Sequence, residues 1–196
     1  MKKGLIILLS VIGVIAVAAL SIAGAYNALV QMDEHVKQSW AQVENVYQRR
    51  LDLIPNLVET VKGYAAHEKS TFMEVTEARA KAAGTISPEV LADPQKFQAF
   101  QASQDALSSA LSRLLVVVER YPDLKANQNF LSLQAQLEGT ENRIAVERGR
   151  FNEVAQGFNT KLRQFPTNVI AGIFGFQSKA YFQSEPQAKV APKVQF

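Results

Sequence analysis

The sequence predicts an all-α protein: an N-terminal transmembrane helix followed by an up-and-down four-helix bundle of long helices. Three observations lead there. Leu5 to Ala25 is a run of 21 residues without a charge, long enough at ~1.5 Å per residue for about 31 Å of helix and so for the ~30 Å core of a bilayer. Beyond it, apolar residues recur three and four apart, the period of amphipathic helices. Finally, Pro55, Pro88, Pro94, Pro122 and Pro166 punctuate those stripes where helices should start, stop or turn.

The implied division is an anchor over 1–25, a helical bundle over 26–165, an aromatic C-terminal segment over 166–182 and a flexible tail over 183–196. At 196 residues, 47% apolar and 20% charged, the chain suits one domain with an appendage. A net charge of +3, with bases and acids interleaved, gives no nucleic-acid footprint. Without cysteine there is no disulfide, thiol catalysis, thiolate zinc site or lipid anchor on Cys.

The apolar run exceeds the 7–15 residues usual for a signal peptide, so retention in the bilayer is expected, although Ala23-Gly24-Ala25 resembles a cleavage site. Ala19 with Ala23, and Ser21 with Ala25, are small residues four apart, a spacing that permits close approach of spans. Lys2 and Lys3 precede the span, while Asp33 and Glu34 come before the first cation beyond it. The positive-inside rule then puts the N-terminus in the cytoplasm and the bundle outside, with the opposite topology open.

The first arm continues from Tyr26 with no breaker, its inner stripe being Leu29, Val36, Trp40, Val43, Tyr47 and Leu51. Pro55 lacks an N–H and disfavours helical geometry at Ile54, so a sharp reversal is expected at Ile54-Pro55. That reversal would give two arms of about 42 Å at ~1.5 Å per residue, with Asp52 capping the next helix. The second arm carries Leu57, Val61, Tyr64, Phe72, Val75 and Ala82 inward and ends at Ala83-Gly84-Thr85. Ser87-Pro88 and Asp93-Pro94 each pair a capping residue with proline at a first helical position. The third helix has the cleanest coiled-coil heptad: Phe97, Phe100, Gln104, Leu107, Leu111, Leu114 and Val118.

Tyr121-Pro122 stops it, and a fourth, longest helix runs to about Phe165 with Phe130, Leu133, Leu137, Ile144, Phe151, Val154, Phe158, Leu162 and Phe165 inward. Gly139 to Arg143 interrupts the stripe with polar residues, as a solvated face or as a network across the bundle with Arg50 and Asp52. From Asn168 to Phe182 the chain is aromatic and glycine-bearing; it reads as a loop covering the bundle's open end or as a segment docking lipid or protein.

No residue is assigned a catalytic, cofactor-binding or metal-ligating role. His67-Glu68 lacks a second histidine at position 71, and the residues three before His35 and His67 are Met32 and Tyr64, so no zinc or carboxylate-histidine motif forms. Ser103, Ser108, Ser109 and Ser112 lie outside any Gly-x-Ser-x-Gly elbow.

The blocks Tyr26-Asn27-Ala28-Leu29-Val30, Trp40, Arg49 to Val58, Lys62-Gly63-Tyr64, Ala78-Arg79, Arg120-Tyr121-Pro122, Gly139 to Ile144 and Phe165-Pro166 together resemble the LemA family of bacterial membrane proteins. The resemblance spans residues 26 to about 182. It implies a single-pass anchor with a soluble helical bundle, no established enzyme activity, and for some relatives a link to membrane organisation; the expected location is the bacterial inner membrane. Together with the missing catalytic constellation, it leads to a membrane-tethered scaffold that meets the bilayer through residues 5–25 and assembles with copies of itself. A non-catalytic accessory or regulator of another membrane protein, such as a protease, is the second expectation.

Overall fold

The computed structural model describes residues 2–183, and among these every regular element is helical. They are α1 (Lys2–Lys62), α2 (Lys69–Ala83), a 3-10 turn (Pro88–Leu91), α3 (Pro94–Val118), α4 (Pro122–Lys125), α5 (Gln128–Arg163) and α6 (Thr167–Phe174). The expected tail falls on residues outside this range except for Gln183.

The largest departure from expectation is at Pro55, where α1 does not reverse. It runs unbroken for 61 residues from the apolar span to Lys62, about 92 Å at ~1.5 Å per residue. Proline leaves the carbonyl four residues earlier without its helical donor. Here that carbonyl belongs to Leu51, and Arg79 Nε on α2 donates to it at 2.8 Å. The Pro55 ring lies on the exposed side of the helix, away from the core. A neighbouring helix thus repairs the one lost bond, and the helix continues past the proline without a break. Asp52 consequently caps nothing; it accepts from Gln48 Nε2 one turn back at 2.8 Å.

The reversal comes instead at Gly63 to Glu68, where the Tyr64 and Ala65 N–H groups fold back onto the Val61 carbonyl at 3.1 and 2.9 Å. This changes the architecture. The stalk from Tyr26 to Lys62 is about 55 Å long and α5, with 36 residues, about 54 Å, each at ~1.5 Å per residue. They are antiparallel partners along the whole domain. With only 15 residues, α2 spans about 22 Å at the same rise and pairs with α3 over the half far from the span.

Other expectations hold closely. Ser87 accepts from the Glu89 N–H at 3.2 Å, and Asp93 from those of Gln95 and Lys96 at 2.8 and 3.4 Å. All seven heptad positions of α3 are buried, as is the expected stripe of the first arm. Tyr64 and Phe165, both assigned inward, are exposed. The fourth helix is interrupted at once: Pro122 opens a single turn, and Asn127 then caps α5 by accepting from the Phe130 N–H at 3.0 Å.

The interior forms two clusters. The distal one is aliphatic, built on Leu51, Leu57, Val61, Val75, Leu107, Leu111 and Leu114. The other, beside the span, is dominated by Trp40, Tyr47, Phe97, Phe100, Phe151, Phe158 and Phe182.

Candidate functional site

The only charged side chain in the buried set of the described residues is Arg50, 2% exposed, at the level where the two clusters meet. Its Nη1 donates to Glu141 Oε1 at 2.9 Å and Ser108 Oγ at 3.1 Å, and its Nη2 to Gln104 Oε1. The guanidinium also lies 5.0 Å from the Tyr47 ring centroid. Burial pushes the Tyr47 phenol above its ordinary range, against the pull of the nearby Arg148 and Arg50 charges. Gln104 passes the network on to the Ala82 carbonyl at 3.4 Å, while Thr85 and Ser103 share a hydroxyl bond at 2.7 Å.

Of the two expected alternatives for the polar stretch of α5, the network across the bundle is thus present through Arg50 and Glu141. Asp52 takes no part in it. This layer joins four helices, α1, α2, α3 and α5, around one charge-assisted bond, but it contains no nucleophile beside a base. Ser109 and Ser112 only bond backbone carbonyls one turn back. His35 and His67 are exposed, one near the base of the stalk and one beyond its tip. Among the described residues, no group of three or more His, Asp or Glu side chains is placed to hold a metal.

The feature that sequence reasoning missed is a strap. Gly175 adopts φ +74°, a left-handed geometry that suits glycine, and ends α6. The chain then runs extended along α5 instead of across the open end of the bundle. Asn159 clamps Lys179 at both backbone groups, accepting from its N–H at 2.8 Å and donating to its carbonyl at 2.9 Å. Asn152 does the same to Phe182, at 2.9 and 3.0 Å.

The register follows from geometry. Seven helical residues rise about 10.5 Å, and three extended residues cover about 10 Å, so two asparagines a heptad apart meet residues three apart on the strap. Phe182 is delivered into the aromatic cluster, its centroid 4.9 Å from that of Phe97 and 5.5 Å from that of Phe151. Arg148 covers its outer face at 4.7 Å.

Lys179 also reaches back to Asp33 on α1, at 2.8 Å. Burial works to raise the Asp33 pKa, but the lysines at 179 and 37 outweigh it and hold the carboxyl below its usual range. The signal in the sequence was the asparagine pair itself, since Asn is a poor residue for a helix interior unless its amide has a partner.

A shallow groove of about 640 Å³ runs on the solvent side of the α1–α5 pair, lined among others by Met32, His35, Gln42, Glu147, Arg150 and Gly157. The span itself is long and apolar enough to cross a membrane, and none of its most apolar window is buried by the other described residues.

A family model described as the LemA family matches residues 39–196. The chain is 29% identical over 198 residues to Magnetosome protein MamQ 2 of Paramagnetospirillum magneticum (strain AMB-1), with 92% of this chain and 72% of that protein covered. It is 28% identical over 205 residues to Magnetosome protein MamQ of Magnetospirillum gryphiswaldense (strain MSR-1), covering 95% and 75%. To Protein LemA of Metamycoplasma hominis it is 23% identical over 167 residues, covering 85% and 73%.

Proposed function

The chain belongs to the LemA family, and from that premise we propose that it is a single-pass, non-catalytic membrane scaffold whose bundle assembles with copies of itself. The observation that carries this reading is the continuity of α1 from the span to the tip of the stalk. Spans that associate through Ala19, Ala23 and their neighbours would hold two stalks side by side at high effective concentration, so weak contacts between bundles would add to those between spans. Relatives that carry the name magnetosome protein are consistent with membrane organisation as that role.

Sedimentation of the detergent-solubilised full chain over a wide concentration range tests this reading. Reversible association, weakened by Ala23→Trp, is the expected result; a strict monomer at every concentration overturns it. We place the anchor in the bacterial cytoplasmic membrane with the N-terminus inside, and a C-terminal reporter active only in the cytosol would reverse that orientation.

A second reading, an accessory to another membrane protein such as a protease, draws on the α1–α5 groove, where Met32 offers an adaptable apolar contact amid polar groups. Cross-linking in native membranes from a Gln42→Cys variant distinguishes the two, because adducts of the chain with itself favour the scaffold and adducts with a different protein the accessory.

A further inference from the structure

The surface around α6 leaves large apolar groups uncovered. Phe165 is 83% exposed and Ile173 73%, with Val169 and Phe174 also more than half exposed. The opposite face of α6, Thr167, Ile170 and Ala171, is buried against α1 and α5. α6 is therefore an eight-residue helix with one face in the protein and an equally apolar face outside it, next to an exposed phenylalanine.

Two independent observations fix where this face lies. First, the Phe174 ring packs on Tyr26, the first residue past the span, with centroids 4.7 Å apart. Second, α5 runs antiparallel to α1 in a register marked by Glu141 opposite Arg50 and Gly157 opposite Met32, whose methyl a Cβ on Gly157 would meet at 3.8 Å. Continued at equal rise, that register brings Arg163 level with residues 26–28. The exposed face thus lies beside the point at which α1 emerges from the apolar span, near Lys161 and Arg163 at the end of α5.

We propose that Phe165, Val169, Ile173 and Phe174 form a second membrane contact, a foot that lies in the headgroup and upper acyl region of the same bilayer the span crosses. The occupant is lipid because the nearest apolar phase to this face is the one already holding Ala25, and the patch is continuous with the span through Tyr26. Aromatic rings at that depth are favoured, and the flanking cations suit anionic headgroups. The foot also moves the lipid contact away from the segment 176–182, whose Phe182 is committed to the core. This reading is independent of whether the chain self-associates.

The chain contains no cysteine, so single spin labels report cleanly. Ile173→Cys and, as a control at the far end of α3, the exposed Val116→Cys are labelled in the full chain and reconstituted into vesicles of phosphatidylethanolamine and phosphatidylglycerol. The label at 173 should be several-fold more accessible to dissolved oxygen and less accessible to a water-soluble nickel chelate than the label at 116. Equal chelate access at the two sites overturns the proposal. So does spin–spin broadening at 173 that disappears on dilution with unlabelled chain, since a second copy would then be what covers this face.

Discussion

The half of the bundle beside the membrane and the half beyond Arg50 solve the same packing problem with different parts. In the distal half α1, α2, α3 and α5 are all present, and aliphatic side chains fill the space between them. In the proximal half α2 has ended, and the strap is clamped in along that half instead. An extended chain is slimmer than a helix and presents only alternate residues to one side, so it brings less volume. Large rings make up the difference: Trp40 alone lies within about 6 Å of Phe97, Phe100, Phe151 and Phe182. Which residues are large in a core thus reports how many helices surround it.

The biggest expected effect comes from emptying the aromatic cluster. Trp40→Ala should cost about 4 kcal/mol, the middle of the range for deleting a buried large aromatic ring. Hydrogen exchange should speed up over the proximal stalk and the strap, with the distal amides changing less. Uniform acceleration in both halves would erase the distinction.

Next is the boundary. Glu141→Ala leaves the Arg50 guanidinium buried without its counter-ion and should cost about 3 kcal/mol, at the low end of such losses because the carboxylate is 42% exposed and water can partly replace it. Chemical denaturation with circular dichroism measures it, and Glu141→Gln should recover part.

Within the distal half, Arg79→Ala strands the Leu51 carbonyl and should cost about 2 kcal/mol. Adding Pro55→Ala to that variant restores the helical N–H and should return much of the loss. A double-mutant cycle without coupling would remove the repair as the reason α1 stays whole.

The smallest effect is pH dependence at the strap. Because the folded pKa of Asp33 is depressed, its contribution is complete above the ordinary carboxylate value of about 3.9 and fades as pH falls through the lower folded value. The loss should be about 1 kcal/mol, the upper end for a pair that water still reaches, since the Lys179 and Asp33 side chains are 14% and 16% exposed. Trp40, the protein's single tryptophan, should report it as an acid-induced emission change that Asp33→Asn shifts or abolishes.

Much of this was readable in advance wherever a local pattern decides the outcome. The α3 heptad, the caps at Ser87 and Asp93 and the first-arm stripe depend on spacing alone. Pro55 was misread because its consequence depends on Arg79, 24 positions away, and no local rule contains that partner. Phe165 was misread for a related reason: its spacing continues the α5 stripe, but the stripe outlasts the protein that could cover it. The Arg50 layer was half legible, as the polar break in α5 showed, whereas the exclusion of Asp52 from it depends on which side of α1 faces α5. The strap left the faintest trace, since a backbone clamp asks nothing of residue 179 beyond its peptide groups.

The helix that ignores its proline has one more implication, which is mechanical. A stalk of about 55 Å rigidly joined to its span is a lever. A lean of ~20°, ordinary for a single helix in a bilayer, carries its far end sideways by about 19 Å. Changes in bilayer thickness that alter this lean would therefore be felt, magnified, at the end of the molecule farthest from the lipid.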